Sequence, residues 1–167
     1  MDEIRNKVNE SGLIQMDLAD FKPRCVITGI DLGLQLWQGL VLKEKDFREW
    51  IKDHDWNQYK DQAVYIYCSA DAIIPTWAYM LIGLELEGLA ALALVGNKTD
   101  LEKALIKQAV ENLNLDFYKD GKIIIKGCAD IVSPEYAMTI LVQRLKTVAK
   151  SIMYGEPCST VPLFKRK

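Results

Sequence analysis

The sequence predicts an α/β fold, in which a mostly parallel sheet carries helices on both faces in a Rossmann-like arrangement, with a β-rich N-terminal extension. Short apolar runs rich in β-branched residues alternate with longer segments whose apolar residues recur at helical spacing. The runs are nearly unbroken, which is typical of strands covered on both faces. Parallel strands also require crossover connections of the kind that the intervening helices provide.

The alternation is regular from Ala63 onward. The predicted strands are 63–68, 90–95, 122–126 and 151–154, and the predicted helices are 75–88, 99–113 and 134–150. Pro75 and Pro134 stand at the first position of their helices, where the N–H that proline lacks would have no partner anyway.

The part of the chain before Ala63 has a different pattern. Residues 1–22 are polar with an extended segment at 13–18, and we expect an arm laid over the body or over a partner. Residues 25–30 read as a strand, and 43–52 as a surface helix. Residues 34–42 also predict a half-buried strand, because four leucines share one parity: Leu34, Leu36, Leu40 and Leu42.

Length and composition indicate a single domain over residues 1–167, with an arm at 1–22, an alternating core at 63–156 and a tail at 157–167. The net charge of −2 gives no basic face for nucleic acid or for an anionic membrane. The first residues contain no apolar signal segment, and the longest apolar run, Leu89 to Gly96, is too short to span a bilayer. We therefore expect a cytoplasmic protein.

One motif points to a function that we discount. Asn97 and Asp100 have the spacing of the guanine-recognition motif of small GTPases. The phosphate-binding G-x-x-x-x-G-K-[ST] loop does not occur in the sequence, so we expect no GTP binding. A helix-capping box over Thr99–Glu102 accounts for these residues.

The cysteines suggest a site. In the cytoplasm they are expected as thiols or metal ligands. Cys68, Cys128 and Cys158 each follow a predicted strand, at the edge where open α/β sheets bind ligands. Helix N-termini at that edge favour thiolate, which binds soft metals or attacks electrophiles. Zinc or iron is the expected metal, with His54 or Asp130 as a fourth ligand.

Two segments echo each other, 68–78 and 127–137. Both contain Ala-Asp, then Pro, an aromatic residue and Ala, although their cysteines are one place out of phase. If the strand before the second segment lies beside the strand before the first, Cys68 and Cys128 flank the point where strand order reverses. Asp71 and Asp130 are then either catalytic carboxylates or, more commonly, residues that bond to the turn backbone.

His54 is the only histidine and lies between two aspartates. It serves as a base or a ligand, or else as a solvated surface residue, which is the more common role of such a residue.

Five segments stand out together: 39–49, 54–56, 68–80, 126–128 and 150–162. They resemble a family of uncharacterised bacterial proteins, the domain of unknown function 2480 family, and they are spread over most of the chain. The segments that contain Cys68 and Cys158 are long enough to be specific. The resemblance implies no established activity. An expected association of the family with iron–sulfur assembly functions favours a thiolate site.

Three functional hypotheses follow. The first is a metal-binding or iron–sulfur-related accessory protein that uses Cys68, Cys128 and Cys158 at the carboxyl edge of the sheet. The second is a non-catalytic binding or scaffold module, in which the N-terminal arm and the C-terminal tail form a homodimer. The third, less favoured, is an enzyme with a cysteine nucleophile assisted by His54 or an aspartate.

Overall fold

The computed structural model describes residues 12–127 and 130–167. Within this range the strands are β1 (Leu13–Asp17), β2 (Ile27–Asp31), β3 (Ala63–Tyr67), β4 (Leu92–Val95), β5 (Lys122–Lys126), β6 (Ser151–Glu156) and β7 (Ser159–Lys165). The α-helices of the same range are α1 (Glu44–Asp53), α2 (Thr76–Leu86), α3 (Lys98–Glu111) and α4 (Pro134–Lys146). None of these helices is long and apolar enough to cross a membrane.

The chain divides into two compact units, named here by their sheets. The three-stranded unit is Arg24–Glu102, and the four-stranded unit is made of the residues up to Pro23 and from Lys103 onward. The boundary falls within α3. That residues 1–167 fold as a single domain stays a prediction.

The three-stranded unit is a parallel sheet in the order β2–β3–β4. The sequence of β3, Ala-Val-Tyr-Ile-Tyr, combines β-branched and aromatic side chains that suit a pleated, half-buried surface. Helix α2 makes the crossover from β3 to β4. It buries Ala78, Ile82 and Leu86 in one core with Val64 and Ile66 of β3.

The four-stranded unit has the order β1–β5–β6–β7, with the first three strands parallel and β7 antiparallel to β6. Three consecutive buried isoleucines make β5 the kind of strand that is covered on both faces. Helix α4 crosses from β5 to β6. Its Arg144 donates from Nε to the carbonyl oxygen of Val110 at 3.2 Å and from Nη2 to that of Glu111 at 2.6 Å, where the end of α3 lacks intrahelical partners.

The α/β class, with mostly parallel strands joined by crossover helices, is confirmed. The strands are divided between two sheets, however, and β3 and β5 lie in different ones. The turns that follow β3 and β5 therefore do not flank one switch point, contrary to the expectation from the two similar segments.

The strand predicted at residues 34–42 is wrong. Leu32–Gln35 forms a 3₁₀ turn, and an isolated bridge joins Trp37 to Val41. Leu34 and Leu40 are 79% and 66% exposed, so their shared parity does not reflect a buried face. Between the bridged residues the chain reverses through Gly39, whose φ of +72° favours glycine.

The segments 13–17 and 159–165 are both strands of the four-stranded sheet. The extended part of the expected arm is β1, which pairs with β5 from Leu13↔Lys122 to Asp17↔Lys126. Residues 1–11 lie outside the described residues. The expected non-helical tail contains β7, which forms a hairpin with β6. Both segments therefore contribute strands to the sheet, where we had expected an arm laid over the body or over a partner and a non-helical tail.

Asn97 and Asp100 begin α3 with reciprocal bonds. Asp100 Oδ2 accepts from the Asn97 N–H at 2.9 Å, and Asn97 Oδ1 accepts from the Asp100 N–H at 3.0 Å. The capping pair therefore starts two residues earlier than the predicted Thr99. These bonds occupy the side chains of the GTPase-like motif, and the lack of GTP binding stays a prediction.

Candidate functional site

A hollow of about 450 Å³ opens in the surface of the four-stranded unit. It lies between α4 and the β6–β7 hairpin, where β5 ends, and we call it the Tyr154 groove. Its volume is in the range of small-molecule sites, roughly 300 to 1,000 Å³. The lining residues are Ile125, Gly127, Pro134, Glu135, Met138, Thr139, Val142, Tyr154 and Leu163.

Helix α4 forms one wall because it carries two adjacent apolar stripes. Ala137 and Leu141 are fully buried in the core, and they stand one turn apart on one face of the helix. Met138 and Val142 each follow one residue later, so their stripe is rotated away from the core. These two side chains are partly buried and line the groove.

Gly127 brings the end of β5 against this wall. A Cβ atom at Gly127 would lie 2.6 Å from Met138 Cε and 2.7 Å from the hydroxyl oxygen of Tyr154. A larger residue would have to displace both side chains. Glycine therefore sets the shape of this end of the groove by letting the backbone approach closely.

The β6–β7 hairpin forms the opposite wall. Tyr154 of β6 and Leu163 of β7 are 41% and 51% exposed, and exposed apolar side chains that gather in a hollow are typical of binding sites. Lys126 Nζ lies 3.2 Å from Glu156 Oε2, an ion pair between the ends of β5 and β6. The β6–β7 hairpin thus contributes one aromatic and one aliphatic side chain to this wall of the groove.

The polar groups of the groove are few. They are the Glu135 carboxylate, the Tyr154 hydroxyl and the Thr139 hydroxyl, which donates to the carbonyl oxygen of Glu135 at 2.7 Å. None of the described lining residues is Lys, Arg or His. The groove is thus an apolar site with one negative charge, which suits a ligand that carries a cation or a hydrogen-bond donor.

The groove continues along α4 into a second hollow of about 190 Å³, which shares Val142 and Leu163 with it. Lys146 lines the second hollow, and its Nζ lies 5.8 Å from the ring centroid of Phe164.

Cys68, the first of the predicted thiols, follows β3 in the three-stranded unit. It is half-buried, and its Sγ donates to the carbonyl oxygen of Ala70 at 3.4 Å. The nearby Asp71 is exposed. The thiol is therefore engaged by its own turn, and the functional roles expected of Cys68 and Asp71 stay predictions.

Asp31, which the sequence did not single out, is the carboxylate that organises this turn. Its Oδ1 accepts from the backbone N–H of Gly33 at 2.8 Å and from that of Ser69 at 2.9 Å. Burial by itself would raise the pKa of Asp31, but these bonds and one from the Ser69 hydroxyl lower it below its ordinary value. Asp31 therefore links the end of β2 to the turn after β3.

His54 is half-buried, and its imidazole ring packs among aromatic rings. Its ring centroid is 4.8 Å from that of Trp50, 4.6 Å from that of Trp56 and 5.7 Å from that of Tyr59. Its Nε2 is 3.1 Å from the Tyr59 hydroxyl. Burial lowers the pKa of His54 despite the opposing charge of Asp55. The ring is half-buried in this cluster, and the roles expected of His54 as base, ligand or surface residue stay predictions.

The other predicted ligands are scattered. Cys158 is exposed in the turn between β6 and β7, and Asp130 is exposed and 3.2 Å from Lys22 Nζ. Cys128 lies outside the described residues. Cys68 and Cys158 belong to different units, and the described residues contain no group of three His, Cys, Asp or Glu side chains that could hold a metal ion. The ligand set of Cys68, Cys128, Cys158 and His54 therefore stays a prediction.

Comparison with known families is decisive for the identity of the chain. The model of a family described as a protein of unknown function, DUF2480, matches residues 2–166 of the 167. The chain belongs to this family. No curated protein and no solved structure matches it. DUF2480 membership confirms the resemblance of the five segments but assigns no activity, so function has to be argued from the site itself.

The groove residues Glu135, Met138, Tyr154 and Leu163 were missed by the sequence analysis. One signal could have found part of the groove: Met138 and Val142 form a second apolar stripe beside the core stripe of α4. The apolar residues of the tail were a second signal, because a residue such as Leu163 indicates a segment that packs against other apolar side chains. The contribution of Tyr154 depends on the pairing of β6 with β5 and β7, which no local pattern encodes.

Proposed function

We propose that this DUF2480 protein is a binding module, whose four-stranded unit holds a small apolar amine in the Tyr154 groove. The main support is the composition of the groove, whose described lining residues form apolar walls with one carboxylate and no basic side chain. The Tyr154 ring attracts cations through its face, and the Met138 thioether adapts to apolar ligands of different shapes.

The apolar body of the ligand supplies most of the affinity. Burial of apolar surface stabilises a complex by about 25 cal/mol per Å² before the costs of association are subtracted. Glu135 is exposed, and exposed ion pairs contribute only about 0.2 to 1 kcal/mol. Glu135 therefore gives a preference for amines of about 1.4- to fivefold and no more.

A fluorescence displacement experiment tests the proposal. The neutral probe N-phenyl-1-naphthylamine is expected to bind the full chain with increased emission. Octylamine and octanoate share one apolar chain and differ in charge. Octylamine is expected to displace the probe at a concentration about 1.4- to fivefold below that of octanoate.

Three variants assign the result to the groove. Tyr154→Ala removes one wall and is expected to weaken probe binding, whereas Glu135→Gln keeps the shape and is expected to abolish only the preference for octylamine. Phe117→Ala is the matched control, because Phe117 is a 70% exposed aromatic residue of the same unit outside the groove lining. Equal probe binding by the wild type and Tyr154→Ala would overturn the proposal.

The thiolate–metal hypothesis now depends on Cys128, which lies outside the described residues. It predicts zinc or iron in protein purified without a chelator. Elemental analysis with an absorption spectrum measures this directly. Stoichiometric metal that is lost in Cys128→Ser would support the hypothesis, and folded protein free of metal would contradict it.

The cysteine-nucleophile hypothesis depends on a thiol that is more reactive than its neighbours. Titration with a thiol reagent at neutral pH compares the cysteines in one experiment. If Cys68→Ser does not remove a fast-reacting group, Cys68 is not a nucleophile.

A further inference from the structure

The outward face of α2 is apolar. Met80 and Leu84 stand one turn apart on this face and are 62% and 71% exposed. A surface helix of a globular protein ordinarily places polar residues there, and a helix that is apolar all round is ordinarily buried. The face of α2 therefore has the character of a contact surface.

Helix α4 provides an internal comparison. Counted from the proline at the start of each helix, Met80 and Leu84 correspond to Thr139 and Gln143. Both of these polar residues are exposed. Two helices with the same buried stripe thus differ on their outward face, which is polar on α4 and apolar on α2.

A hollow of about 410 Å³ lies beside the outward face of α2, between the helix and β4. Gly83 forms part of its wall, and no atom lies within 4 Å of the Cβ that a larger residue would carry there. The corresponding hollow of the four-stranded unit is walled by β7, which pairs with β6. In the three-stranded unit β4 is the last strand, so no strand of its sheet has that role.

The described charges around this face differ between the two ends of α2: Arg48 Cζ lies 5.9 Å from the ring centroid of Trp77 in the first turn, and the acidic residues lie at the other end. No Lys, Arg or His occurs between Lys60 and Lys98, and Glu85 and Glu87 stand at the C-terminal end of α2. Consider an antiparallel pair of α2 helices that meet on their outward faces, midway between Met80 and Leu84. Glu87 of each copy then faces the N-terminal turn of the other. Carboxylates are favourable near a helix N-terminus, where backbone N–H groups and the helix dipole provide positive charge.

We infer that two copies of this chain associate through the outward faces of antiparallel α2 helices. The two-fold axis passes midway between Met80 and Leu84, at the level of Ile82 along the helix. A two-fold interface requires one surface to carry both the projecting and the receiving features. The α2 face does so, because Met80 and Leu84 project beside the hollow at Gly83. Met80 of one copy lies opposite Leu84 of the other, and Gly83 allows the two helices to approach closely.

This dimer differs from the one that the sequence suggested. The extended part of the arm and the tail are β1 and β7 of the four-stranded sheet, each paired along one side with a strand of the same chain. The dimer contact inferred here is instead on α2, whose Met80 and Leu84 are exposed.

Sedimentation equilibrium of the full chain tests the inference. The expected mass is twice the 19.0 kDa of the chain, falling toward the monomer on dilution over about 1 to 100 µM. Gly83→Arg places a large charged side chain where the helices meet. It is expected to weaken the dimer about 30-fold or more, as the loss of a central interface contact does.

Matched variants separate the interface from folding. Gly83→Ala keeps close approach and is expected to remain dimeric, and Leu34→Arg introduces the same charge at a 79% exposed leucine of the same unit. Leu84→Arg repeats the test at a 71% exposed position. The dimer can therefore still be tested if Gly83→Arg does not fold. Glu87→Lys is expected to weaken the dimer further than Glu87→Gln does.

The outcomes are distinct. Dimers in the wild type, Gly83→Ala and Leu34→Arg, with monomers in Gly83→Arg and Leu84→Arg, support the inference. A monomeric wild type at the highest concentration overturns it, and so does a dimer that neither arginine on α2 weakens, since the contact would then lie elsewhere or involve another protein.

Discussion

Helices α2 and α4 show how the two units use one plan for different purposes. Each follows a buried strand and a turn with Ala-Asp and Pro, and each buries side chains at the same three positions counted from that proline. These are Ala78, Ile82 and Leu86 in α2, and Ala137, Leu141 and Leu145 in α4. The shared spacing explains the similarity between segments 68–78 and 127–137, because both must attach a helix to a sheet.

The helices differ in what lies beside them. In the four-stranded unit, β7 extends the sheet past β6, and Leu163 closes the far side of a hollow that α4 and Tyr154 begin. In the three-stranded unit, the sheet stops at β4 and the neighbouring face of α2 is apolar. The difference teaches that the strand–helix–strand unit leaves a hollow beside its second strand, and that the function of the hollow depends on what covers it.

The shared buried stripe is the first part of this comparison to test. Ile82→Ala and Leu141→Ala are each expected to lower the free energy of unfolding by about 2 to 5 kcal/mol, because each leaves a cavity in a closed core. Both residues are fully buried. Urea unfolding followed by far-ultraviolet circular dichroism measures the loss, and Gln143→Ala is the exposed control, with a change within about 0.5 kcal/mol.

The same variants test the prediction of a single domain. All four tryptophans lie between residues 37 and 77, within the three-stranded unit, so tryptophan fluorescence follows that unit alone. A single cooperative domain predicts that Leu141→Ala shifts the fluorescence transition as much as Ile82→Ala does. An unchanged fluorescence transition in Leu141→Ala would instead show two domains that unfold separately.

The glycines beside the two hollows give the second contrast. Gly127→Ala is expected to destabilise the fold by about 1 to 3 kcal/mol, because its Cβ has to displace Met138 and Tyr154. Gly83→Ala has open space and a helical backbone, and is expected to stabilise the fold by about 0.5 to 1 kcal/mol. Thermal unfolding of the two variants side by side measures both changes, and equal effects would contradict the close approach at Gly127.

The carboxylates near the two turns give the third contrast. Asp31→Ala removes the acceptor of two backbone N–H groups and is expected to cost about 1 to 2 kcal/mol. Lys22→Ala removes only an exposed ion pair with Asp130 and is expected to cost about 0 to 0.5 kcal/mol. Denaturant unfolding at neutral pH compares them.

The pH dependence gives a second measurement at Asp31. Its pKa is lowered in the folded protein, so its charge stabilises the fold above the ordinary value near 3.9. That contribution is lost as the pH falls through the folded pKa. The stability difference between wild type and Asp31→Asn is therefore expected to shrink in acid. A difference that stays constant down to the folded pKa would show that only shape matters at this position.

Substitution of His54 has the smallest expected effect on stability. His54 belongs to the three-stranded unit. Burial lowers its pKa, so protonation is favoured in the unfolded chain and stability falls as the pH drops below the ordinary value of about 6.5. His54→Gln is expected to flatten that part of the stability curve. A nuclear magnetic resonance titration of the His54 ring checks the cause, and a midpoint above 6.5 would contradict it.

The positions of most elements were predictable because their signals are local. The helices at 76–86, 98–111 and 134–146 were found within a few residues, since apolar spacing and terminal prolines depend only on neighbours in sequence. The strand prediction for residues 34–42 failed because leucines at alternating positions are also compatible with an exposed turn. The candidate site was less accessible: Cys68 and His54 were singled out for their chemistry, but the structure uses them in a turn and in an aromatic cluster.

The sequence alone therefore determined that strands and helices alternate, that β3 and β5 carry buried apolar runs, that α2 and α4 attach through the same stripe, and that the chain belongs to the DUF2480 family. Only the tertiary structure decided that the strands divide between two sheets, that β1 and β7 join the second sheet, and that Gly127, Met138 and Tyr154 meet in one groove. The reason is physical. A periodic pattern reports which side of an element is buried, whereas the choice of partner strand depends on contacts between residues distant in the chain.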